Sequence, residues 1–279
     1  MTITVRRAGP LTTVQDLGRP GYAHLGVPRS GALDVPALRR ANALVGNPAR
    51  AAGLETTLLG CVLRFEAPAR IAVTGAAAAV KVDREPVDPG GGAIDVPAGA
   101  TVDIGRAIRG VRSYLAVSGG IAVDPVLGSR STDTLSGLGP PRLTDGMTLP
   151  IGPPADGEPA ESSAGTSSHG DLELGVRLGP RDDWFVAAEL FSSAYRVSPL
   201  SNRVGSRLAG AALPRTRAGE LPSEGVVLGA VQVPADGQPL IFLADHPTTG
   251  GYPVVGVVDD VTPLAQARPG TTVRFRELD

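Results

Sequence analysis

A dense group of polar side chains lies between Gly9 and Asp34, in a stretch that glycine and proline interrupt. Its members are Gln15, Asp16, Arg19, His24, Arg29, Ser30 and Asp34. Two arginines supply donors of fixed geometry and two aspartates supply acceptors, which is what binding an anionic or amide substrate requires. The glycines and prolines predict a loop rather than a helix or a central strand. A purely structural surface turn is the alternative interpretation of these residues.

A second candidate stretch, Ala244–Pro253, follows the apolar run Leu240–Leu243. It places Asp245 at the end of a predicted strand, with two threonines and a Gly-Gly pair close behind. Backbone amides at such a turn can point towards an anion or a developing oxyanion. The alternative is a decorated hairpin in which the aspartate caps the turn.

Two further stretches have weaker signals. In Ser201–Arg207, Asn202 and Arg203 are residue types that bind a carboxylate or an amide, although Arg203 and Arg207 could equally form surface ion pairs. Gly128–Thr132 could hold an anion as a small nest of backbone amides.

Several kinds of site have no signal in the sequence. It contains neither the Gly-x4-Gly-Lys-Ser/Thr phosphate loop nor a Gly-x-Gly-x-x-Gly that opens a helix. The histidines (His24, His169 and His246) lack metal-ligand spacing, so no metal site is predicted. Cys61 is the single cysteine, which excludes an internal disulfide and a cysteine metal cluster.

The composition predicts a soluble, cytoplasmic protein. A net charge of −2 over 279 residues argues against nucleic acid and acidic membrane surfaces as partners. The N-terminus lacks the apolar run of a signal peptide, and no stretch approaches the length of a membrane span. Lys81 is the only lysine, so any mechanism that needs a lysine must use it.

The pattern of short Val/Ile/Thr runs between 37 glycines and 26 prolines predicts a mostly β fold with barrels or sandwiches. One helix is expected after Asp34, which would cap it, with Pro36 in its first turn and Gly46–Pro48 ending it. A second helix is expected from about Asp182 to Phe191, capped by Asp182 or Asp183. The predicted strands are Thr2–Arg7, Val62–Phe65, Ile71–Thr74, Ala79–Val82, Ile94–Val96, Thr101–Ile104, Ser113–Val117, Met147–Ile151, Leu172–Leu178, Val226–Leu228, Ala230–Val233, Leu240–Leu243, Val254–Val258 and Thr272–Phe275.

The domain prediction has three parts. Residues 1–151 form an N-terminal β lobe and residues 171–279 form a C-terminal β lobe. Between them, residues 152–170 are rich in Pro, Gly, Ser and Ala, which predicts a flexible linker or excursion.

Several sequence motifs, in order along the chain, resemble the family called allophanate hydrolase subunit 2, also known as the biotin-dependent carboxyltransferase-like family. The C subunit of bacterial 5-oxoprolinase belongs to this family. The motifs are TVQDLGRPGY (13–22), GVPRSGALD (26–34), ANALVGN (41–47), LETTL (54–58), YLAVSGGI (114–121), GSRST (128–132), SNRVGSRL (201–208), GAVQVP (229–234) and TTGGYP (248–253).

The resemblance implies cyclophilin-like β-barrels and a partner of the subunit 1 type, which is kinase-inhibitor-like. It implies a subunit of an ATP-dependent 5-oxoprolinase, which opens the lactam 5-oxoproline to glutamate, with a third lactam-utilisation subunit as a further partner. One alternative is a carboxyltransferase component that acts on urea-like amides, with carboxybiotin supplied in trans because Lys81 follows valine rather than methionine. Another alternative is a non-enzymatic regulatory partner of the subunit 1 homologue.

Site roles follow from the resemblance combined with the residue types. Asp16 and Asp245 are the predicted catalytic residues, as orienters or bases. The predicted substrate-binding residues are Gln15, Arg19, Arg29, Ser30, Asn202, Arg203, Thr248, Thr249, Gly250 and Tyr252. The sequence departs from the family pattern at His246-Pro247 and Gly139–Pro141, which leaves the substrate specificity open.

Overall fold

The computed structural model describes residues 1–90, 92–154, 157–160, 170–219 and 221–279. The chain divides into two compact units. Unit 1 comprises Met1–Arg19, Ser30–Asp133 and Gly137–Ser167, and unit 2 comprises Pro20–Arg29, Thr134–Ser136 and Ser168–Asp279. The linker predicted at 152–170 stays a prediction, because residues 155–156 and 161–169, including His169, lie outside the described residues.

Unit 1 is built on one antiparallel sheet, which has nine strands within the described ranges. The strands are β1 (Thr2–Arg7), β2 (Thr12–Gln15), β3 (Gly53–Thr57), β4 (Cys61–Phe65), β5 (Ala69–Val82), β6 (Glu85–Val87), β7 (Ile94–Val96), β8 (Thr101–Val117) and β9 (Thr148–Pro150). Their order is β2-β3-β8-β4-β1-β9, and β5 pairs with β6, β7 and β8. The sheet curls into an open half-barrel.

Alternating apolar residues place the core of unit 1 on one face of this sheet. Ile3 lies opposite Phe65 and Val5 lies opposite Leu63, and all four side chains are fully buried. Burial of each such side chain stabilises the fold by about 1.5–3 kcal/mol. The strand prediction for Thr2–Arg7 is therefore confirmed.

Strands β5 and β8 are each continuous, whereas the sequence predicted two short strands within each. The pairing register between them shifts at several points from Gly75 to Val80, and Gly110 adopts a left-handed φ of 76°. Such β-bulges bend a strand without ending its pairing. Each of the two long strands therefore bends at these positions and continues, instead of ending there.

The stretch Gly9–Asp34 is not entirely a loop. Thr12–Gln15 forms strand β2, which pairs with β3 at the edge of the sheet. An edge strand needs hydrogen-bond partners on one side only, so the flanking glycine and proline do not prevent it. The prediction of a continuous loop was wrong at these four positions.

Helix α1 (Val35–Leu44) confirms the predicted helix after Asp34. The Asp34 carboxylate accepts a hydrogen bond of 3.0 Å from the Ala37 amide, which caps the first turn. Leu38 and Ala41 are fully buried, so the helix packs one apolar face against the unit. Gly46, with φ of 74°, follows its end.

Unit 2 contains a closed barrel in the order β10-β17-β14-β15-β12-β11-β18. Strands β18 and β10 close it as a parallel pair, and the other pairs are antiparallel. The strands of the unit are β10 (Leu172–Leu178), β11 (Ala194–Val197), β12 (Gly205–Ala209), β13 (Glu224–Gly225), β14 (Ala230–Gln232), β15 (Leu240–Phe242), β16 (Thr249–Gly250), β17 (Val254–Val258) and β18 (Thr272–Glu277). Helix α2 (Ala188–Ser192) and 3-10 turns at Ala23–Leu25, Asp182–Trp184 and Thr262–Gln266 complete it.

The helix predicted from about Asp182 to Phe191 was wrong. Phe185 is extended and buried, and it forms an isolated bridge with Arg215, which separates the 3-10 turn from helix α2. Burial of an aromatic ring outweighs the weak helix preference of this short segment. The aspartates that were predicted to cap it do not form a side-chain cap.

Further strand assignments also differ. Val226–Leu228 does not form a strand, and the short strand β13 ends at Gly225. Strands β3, β6, β11, β12, β13 and β16 were not predicted. The fold class is nevertheless confirmed as mostly β with barrel-type lobes and few helices. Within the described residues, no helix is both long and apolar enough to cross a membrane.

Candidate functional site

Asp16 of unit 1 follows strand β2 and has a buried carboxylate with four hydrogen-bond donors. One carboxylate oxygen accepts from the Gly18 amide at 2.8 Å and from the hydroxyls of Ser129 and Ser131 at 2.6 Å each. The other oxygen accepts from the Arg130 amide at 2.6 Å. These donors are all neutral, so hydrogen bonds alone replace the water that burial removes.

The predicted anion nest Gly128–Thr132 therefore already holds an anion of the same unit. Two serine hydroxyls and one backbone amide of this loop are directed at the Asp16 carboxylate. The interaction connects positions more than 110 residues apart in the sequence. Its evident effect is to fix the loop against the end of β2.

Arg19 forms a second connection between the same two segments. Its guanidinium is almost fully buried, donates to the carbonyl of Ser131 and donates to the Ser30 hydroxyl at 3.1 Å. The Ser30 hydroxyl donates in turn to Asp133 at 2.7 Å. Ser30 also has a left-handed φ of 51°, an uncommon conformation for a residue with a Cβ. The network thus holds a strained position in place.

Gln15 is also buried in this region. Its side-chain amide donates to the Thr13 hydroxyl and to the Thr132 carbonyl, both at 3.0 Å. Its Oε1 atom has no hydrogen-bond partner among the described residues. In this structure Gln15 is part of the buried network, where a substrate does not reach it without rearrangement.

Asp245 of unit 2 has a different kind of partner. Arg203 donates to its two carboxylate oxygens through Nε and a terminal nitrogen, at 2.9 Å each. Both side chains are at most 1% exposed. The planar guanidinium matches both oxygens of a carboxylate, so this is a buried bidentate ion pair. The alternative of surface ion pairs does not describe Arg203.

Thr134 provides the remaining donors to Asp245. Its amide and its hydroxyl donate to the same carboxylate oxygen, at 2.9 Å and 2.7 Å. Sequence reasoning missed Thr134 and the neighbouring Asp133. The available signal was the polar run that continues directly after Gly128–Thr132.

The predicted site residues with accessible side chains are in unit 2. Thr249 and Tyr252 are exposed, and Arg29 and Thr248 are half-buried. Within the part of the chain that the structure describes, Arg29 makes no hydrogen bond or ion pair. Its guanidinium is therefore free to bind an external anion.

Two other predicted residues of unit 2 have local structural roles. The Asn202 side-chain oxygen accepts from the amides of Val204 and Gly205 at 2.8 Å and 3.2 Å, which is the pattern of an Asx turn. Gly250 lies in strand β16 and pairs with Glu224. An added Cβ at Gly250 would lie 2.5 Å from the end of the Gln232 side chain, which would have to shift to make room for it.

A third buried carboxylate, Glu55 of strand β3, was not predicted as a site residue. It accepts from the Tyr114 hydroxyl at 2.8 Å and from the Leu33 amide at 3.1 Å, and Arg112 lies 3.6 Å from its other oxygen. The Tyr114 hydroxyl accepts from the Asp34 amide at 2.8 Å. Burial and the adjacent Glu55 charge raise the pKa of Tyr114 well above its ordinary value. This cluster fixes the chain where it enters helix α1.

The cysteine and the two histidines of the described ranges lie in different environments. Burial raises the pKa of the Cys61 thiol to about 12, so the thiol is neutral and unreactive at ordinary pH. His246 is buried, its Nδ1 lies 2.6 Å from the Pro247 carbonyl and its ring lies 5.9 Å from Phe242. His24 is exposed.

Among the described residues, the two predicted catalytic aspartates lie in separate buried carboxylate clusters, one in each unit. The Asp16 cluster includes Gln15, Arg19 and Ser30 of unit 1. The Asp245 cluster includes Arg203 and Thr134 of unit 2.

Comparison with known proteins places this geometry in context. The family model described as carboxyltransferase domain, subdomain A and B, matches residues 25–277. The chain is 41% identical to the C subunit of 5-oxoprolinase from Escherichia coli (strain K12) over 285 aligned residues, which cover 98% of the chain and 90% of that protein.

Solved structures have the same fold. The crystal structure of the Kluyveromyces lactis urea amidolyase matches with a TM-score of 0.93 and 31% identity, and it covers 100% of this chain. That of TTHA0988 matches with a TM-score of 0.90 and 36% identity over 99% of this chain. The chain spans only 19% of the urea amidolyase chain and 55% of the TTHA0988 chain.

Proposed function

Because the chain belongs to the family of carboxyltransferase domains, subdomains A and B, we propose that it is a subunit of an ATP-dependent 5-oxoprolinase. This enzyme opens 5-oxoproline to glutamate. The observation that carries the proposal is the 41% identity to a named 5-oxoprolinase subunit over nearly the whole chain. In this proposal the enzyme also contains a subunit 1-type protein and a third, lactam-utilisation subunit, and it works in the cytoplasm.

The accessible polar residues of unit 2 are the proposed substrate contacts. 5-Oxoproline has a carboxylate and a lactam amide. Arg29 has a guanidinium without a partner among the described residues, and it would bind the carboxylate. Thr248, Thr249 and Tyr252 would bind the amide through hydroxyl groups, which donate and accept hydrogen bonds.

The buried residues have a different proposed role, which is to hold the loops that carry these contacts. All four hydrogen bonds to Asp16 come from its own unit, and Asp245 is paired with Arg203. Both carboxylates are buried and hydrogen-bonded within their own units, so the geometry favours orientation over general-base catalysis for both aspartates. Misplacement of a binding loop by 1 Å lowers a rate by about 100-fold, so orientation is itself a catalytic contribution.

The described residues of the buried clusters do not fit a phosphate site for ATP. The amides and hydroxyls of Gly128–Thr132 are directed at Asp16, and Arg19 and Arg203 are bound to partners within their own units. Arg29 alone among the predicted cations stays available. We therefore propose that ATP binds elsewhere in the assembled enzyme, and that these clusters do not hold its phosphates.

Reconstitution tests the proposal. The chain is purified with its subunit 1-type and lactam-utilisation partners, and glutamate formation from 5-oxoproline is measured with and without ATP. The expected result is ATP-dependent turnover that requires all components. An Arg29→Ala variant should raise KM for 5-oxoproline more than it lowers kcat, and Arg177→Ala, at another arginine of unit 2, serves as the control. Absence of turnover with the full set of subunits would reject the proposal.

A carboxyltransferase function is the second candidate, and the close structural match to the urea amidolyase favours it. In that case the substrate would be a urea-like amide. Carboxybiotin would arrive on another protein, because the only lysine, Lys81, does not follow methionine. Addition of a biotinylated carrier protein distinguishes the two functions: the carboxyltransferase depends on the carrier and on its biotin, and the 5-oxoprolinase does not.

A further inference from the structure

An exposed apolar turn of unit 1 lies beside an exposed segment of strand β8. Leu58 and Leu59, in the turn between β3 and β4, are 38% and 48% exposed, and Ile108 of β8 is 70% exposed. Backbone hydrogen bonds place the turn against this segment, since the Leu58 carbonyl accepts from the Ala107 amide at 2.7 Å. We call the group Leu58, Leu59, Arg106, Ile108 and Arg109 the knuckle.

The knuckle is held rigidly. Besides accepting from β8, Leu58 donates its amide to the Val111 carbonyl at 2.8 Å. At Gly60 an added Cβ would lie 1.9 Å from the Ile104 carbonyl oxygen, so the turn is in tight contact with the strand. Leu58 has a left-handed φ of 54°, which is a strained conformation for a leucine. A rigid surface loses little entropy when it binds.

The charge on the knuckle is positive and unpaired. Arg106 and Arg109 are exposed on either side of Ile108. Neither guanidinium has a hydrogen bond or ion pair within the described ranges. By contrast, Asp103 of the same strand pairs with Arg7 at 3.1 Å. Two free cations beside three exposed aliphatic side chains are notable in a chain whose net charge is −2.

We propose that the knuckle is a docking surface for a partner protein that presents an apolar depression rimmed by carboxylates. Covering large exposed aliphatic side chains stabilises a complex, because it removes apolar surface from water. Arginines at the rim favour association with an acidic surface. The inference rests on the proposed function in one respect, since it takes the subunit 1-type protein as that partner. The similarity to the C subunit of the E. coli 5-oxoprolinase agrees with a multi-subunit enzyme.

Charge argues against two other occupants. A two-fold interface between copies would bring the arginines of both copies together, and like charges at close range are repulsive. Stable membrane binding usually requires two contributions, such as a lipid chain and a polybasic patch. Two arginines provide only a small electrostatic attraction to a membrane surface.

The test is a binding measurement between the full chain and the purified subunit 1-type protein by isothermal titration calorimetry. Ile108→Asp should weaken Kd at least tenfold, because it places a charge in the apolar centre of the contact. The matched control is Leu200→Asp in unit 2, where the side chain is 71% exposed, and it should leave Kd unchanged. The double variant Arg106→Glu, Arg109→Glu should also weaken binding and reduce the dependence of Kd on salt.

A second variant separates docking from folding. Leu58→Gly removes one contact and also relieves the left-handed φ, so it should weaken binding while thermal stability stays equal or rises. Analytical ultracentrifugation and flotation with phosphatidylserine vesicles test the other occupants. Self-association or vesicle binding that Ile108→Asp abolishes would overturn the proposal in favour of a second copy or a membrane.

The outcomes also distinguish the docking surface from the proposed function. A wild-type chain that does not bind the subunit 1-type protein overturns the docking proposal, as does equal binding by wild type and Ile108→Asp. Assembly that depends on the knuckle without glutamate formation rejects the 5-oxoprolinase function and retains the docking surface. Turnover in a complex that forms normally with Ile108→Asp supports the function and rejects this surface.

Discussion

Each unit contains a buried aspartate, and different kinds of hydrogen-bond donor stabilise the two carboxylates. In unit 1, Asp16 is surrounded by neutral donors, namely two serine hydroxyls and two backbone amides. In unit 2, Asp245 is bound by the guanidinium of Arg203 and by Thr134. In the first arrangement the groups that hydrogen-bond to the carboxylate are all neutral, whereas in the second a cation donates to it directly.

This difference determines what each cluster can tolerate. Removing one member of a buried ion pair leaves an uncompensated charge, which costs about 3–5 kcal/mol. Removing one neutral donor from a set of four leaves the charge still solvated by the other three, which costs about 1–3 kcal/mol. The Asp245 cluster should therefore be the more sensitive of the two to single substitutions.

The largest expected effect is that of Arg203→Ala, which should reduce the free energy of unfolding by about 3–5 kcal/mol because Asp245 would stay buried without a cation. Urea denaturation measures it. The double variant Arg203→Met, Asp245→Leu removes both charges and should recover most of the loss. A double variant that is less stable than Arg203→Ala would contradict the ion-pair explanation.

The second effect is that of Asp16→Asn, which should cost about 2–3 kcal/mol, because one side-chain NH₂ would then face donors that now point at a carboxylate. Chemical denaturation again provides the measurement. Asp124→Asn, at an exposed position of the same unit, is a comparison for the loss of charge alone. A cost as large as that of Arg203→Ala would show that neutral donors and a cation are equivalent here.

Glu55 provides an intermediate case, since it combines neutral donors with Arg112 at 3.6 Å. Tyr114→Phe should cost about 1–2 kcal/mol, because the Asp34 amide and Glu55 both lose the hydroxyl. Urea denaturation measures the loss, and Tyr252→Phe, where the side chain is exposed, should leave stability unchanged. Equal stability of Tyr114→Phe and wild type would mean that water replaces the hydroxyl in both bonds.

The buried Cys61 thiol differs from these carboxylates, because it stays in its neutral form. Because burial raises its pKa to about 12 from 9.0, the stability that this shift contributes is complete below pH 9 and is lost as the pH rises from 9 to 12. At neutral pH, Cys61→Ala should change only packing. Above pH 9, wild type should lose about 1.4 kcal/mol per pH unit relative to the variant. Parallel stability curves from pH 9 to 11 would contradict the shifted pKa.

The fold was largely predictable, because it depends on local patterns. Strand Thr2–Arg7 and helix α1 have clear periodicity and clear capping residues, so local chemistry alone predicted them correctly. The failures have long-range causes. The bulges that join the halves of β5 and β8 depend on the register with a partner strand, and the bridge at Phe185 depends on Arg215, 30 positions later.

The candidate site was predictable in residue type but not in partners. Asp16, Arg19, Arg203 and Asp245 were identified as important polar groups, but a sequence does not reveal that Arg203 is bound to Asp245. Thr134 was missed for the same reason, since a threonine in a polar run has no distinctive spacing. Burial, which separates residues that orient loops from residues open to a ligand, becomes visible only in three dimensions.

Thr134 has a consequence for the order in which the chain can fold. It belongs to unit 2 but lies in the middle of the unit 1 sequence, and its amide and hydroxyl donate two hydrogen bonds to Asp245. A fragment that starts at residue 171 would contain every strand of the barrel and both members of the ion pair, and yet lack these donors. During synthesis, a small part of the second unit therefore emerges from the ribosome well before the rest, and Asp245 gains the Thr134 donors only when the two parts meet.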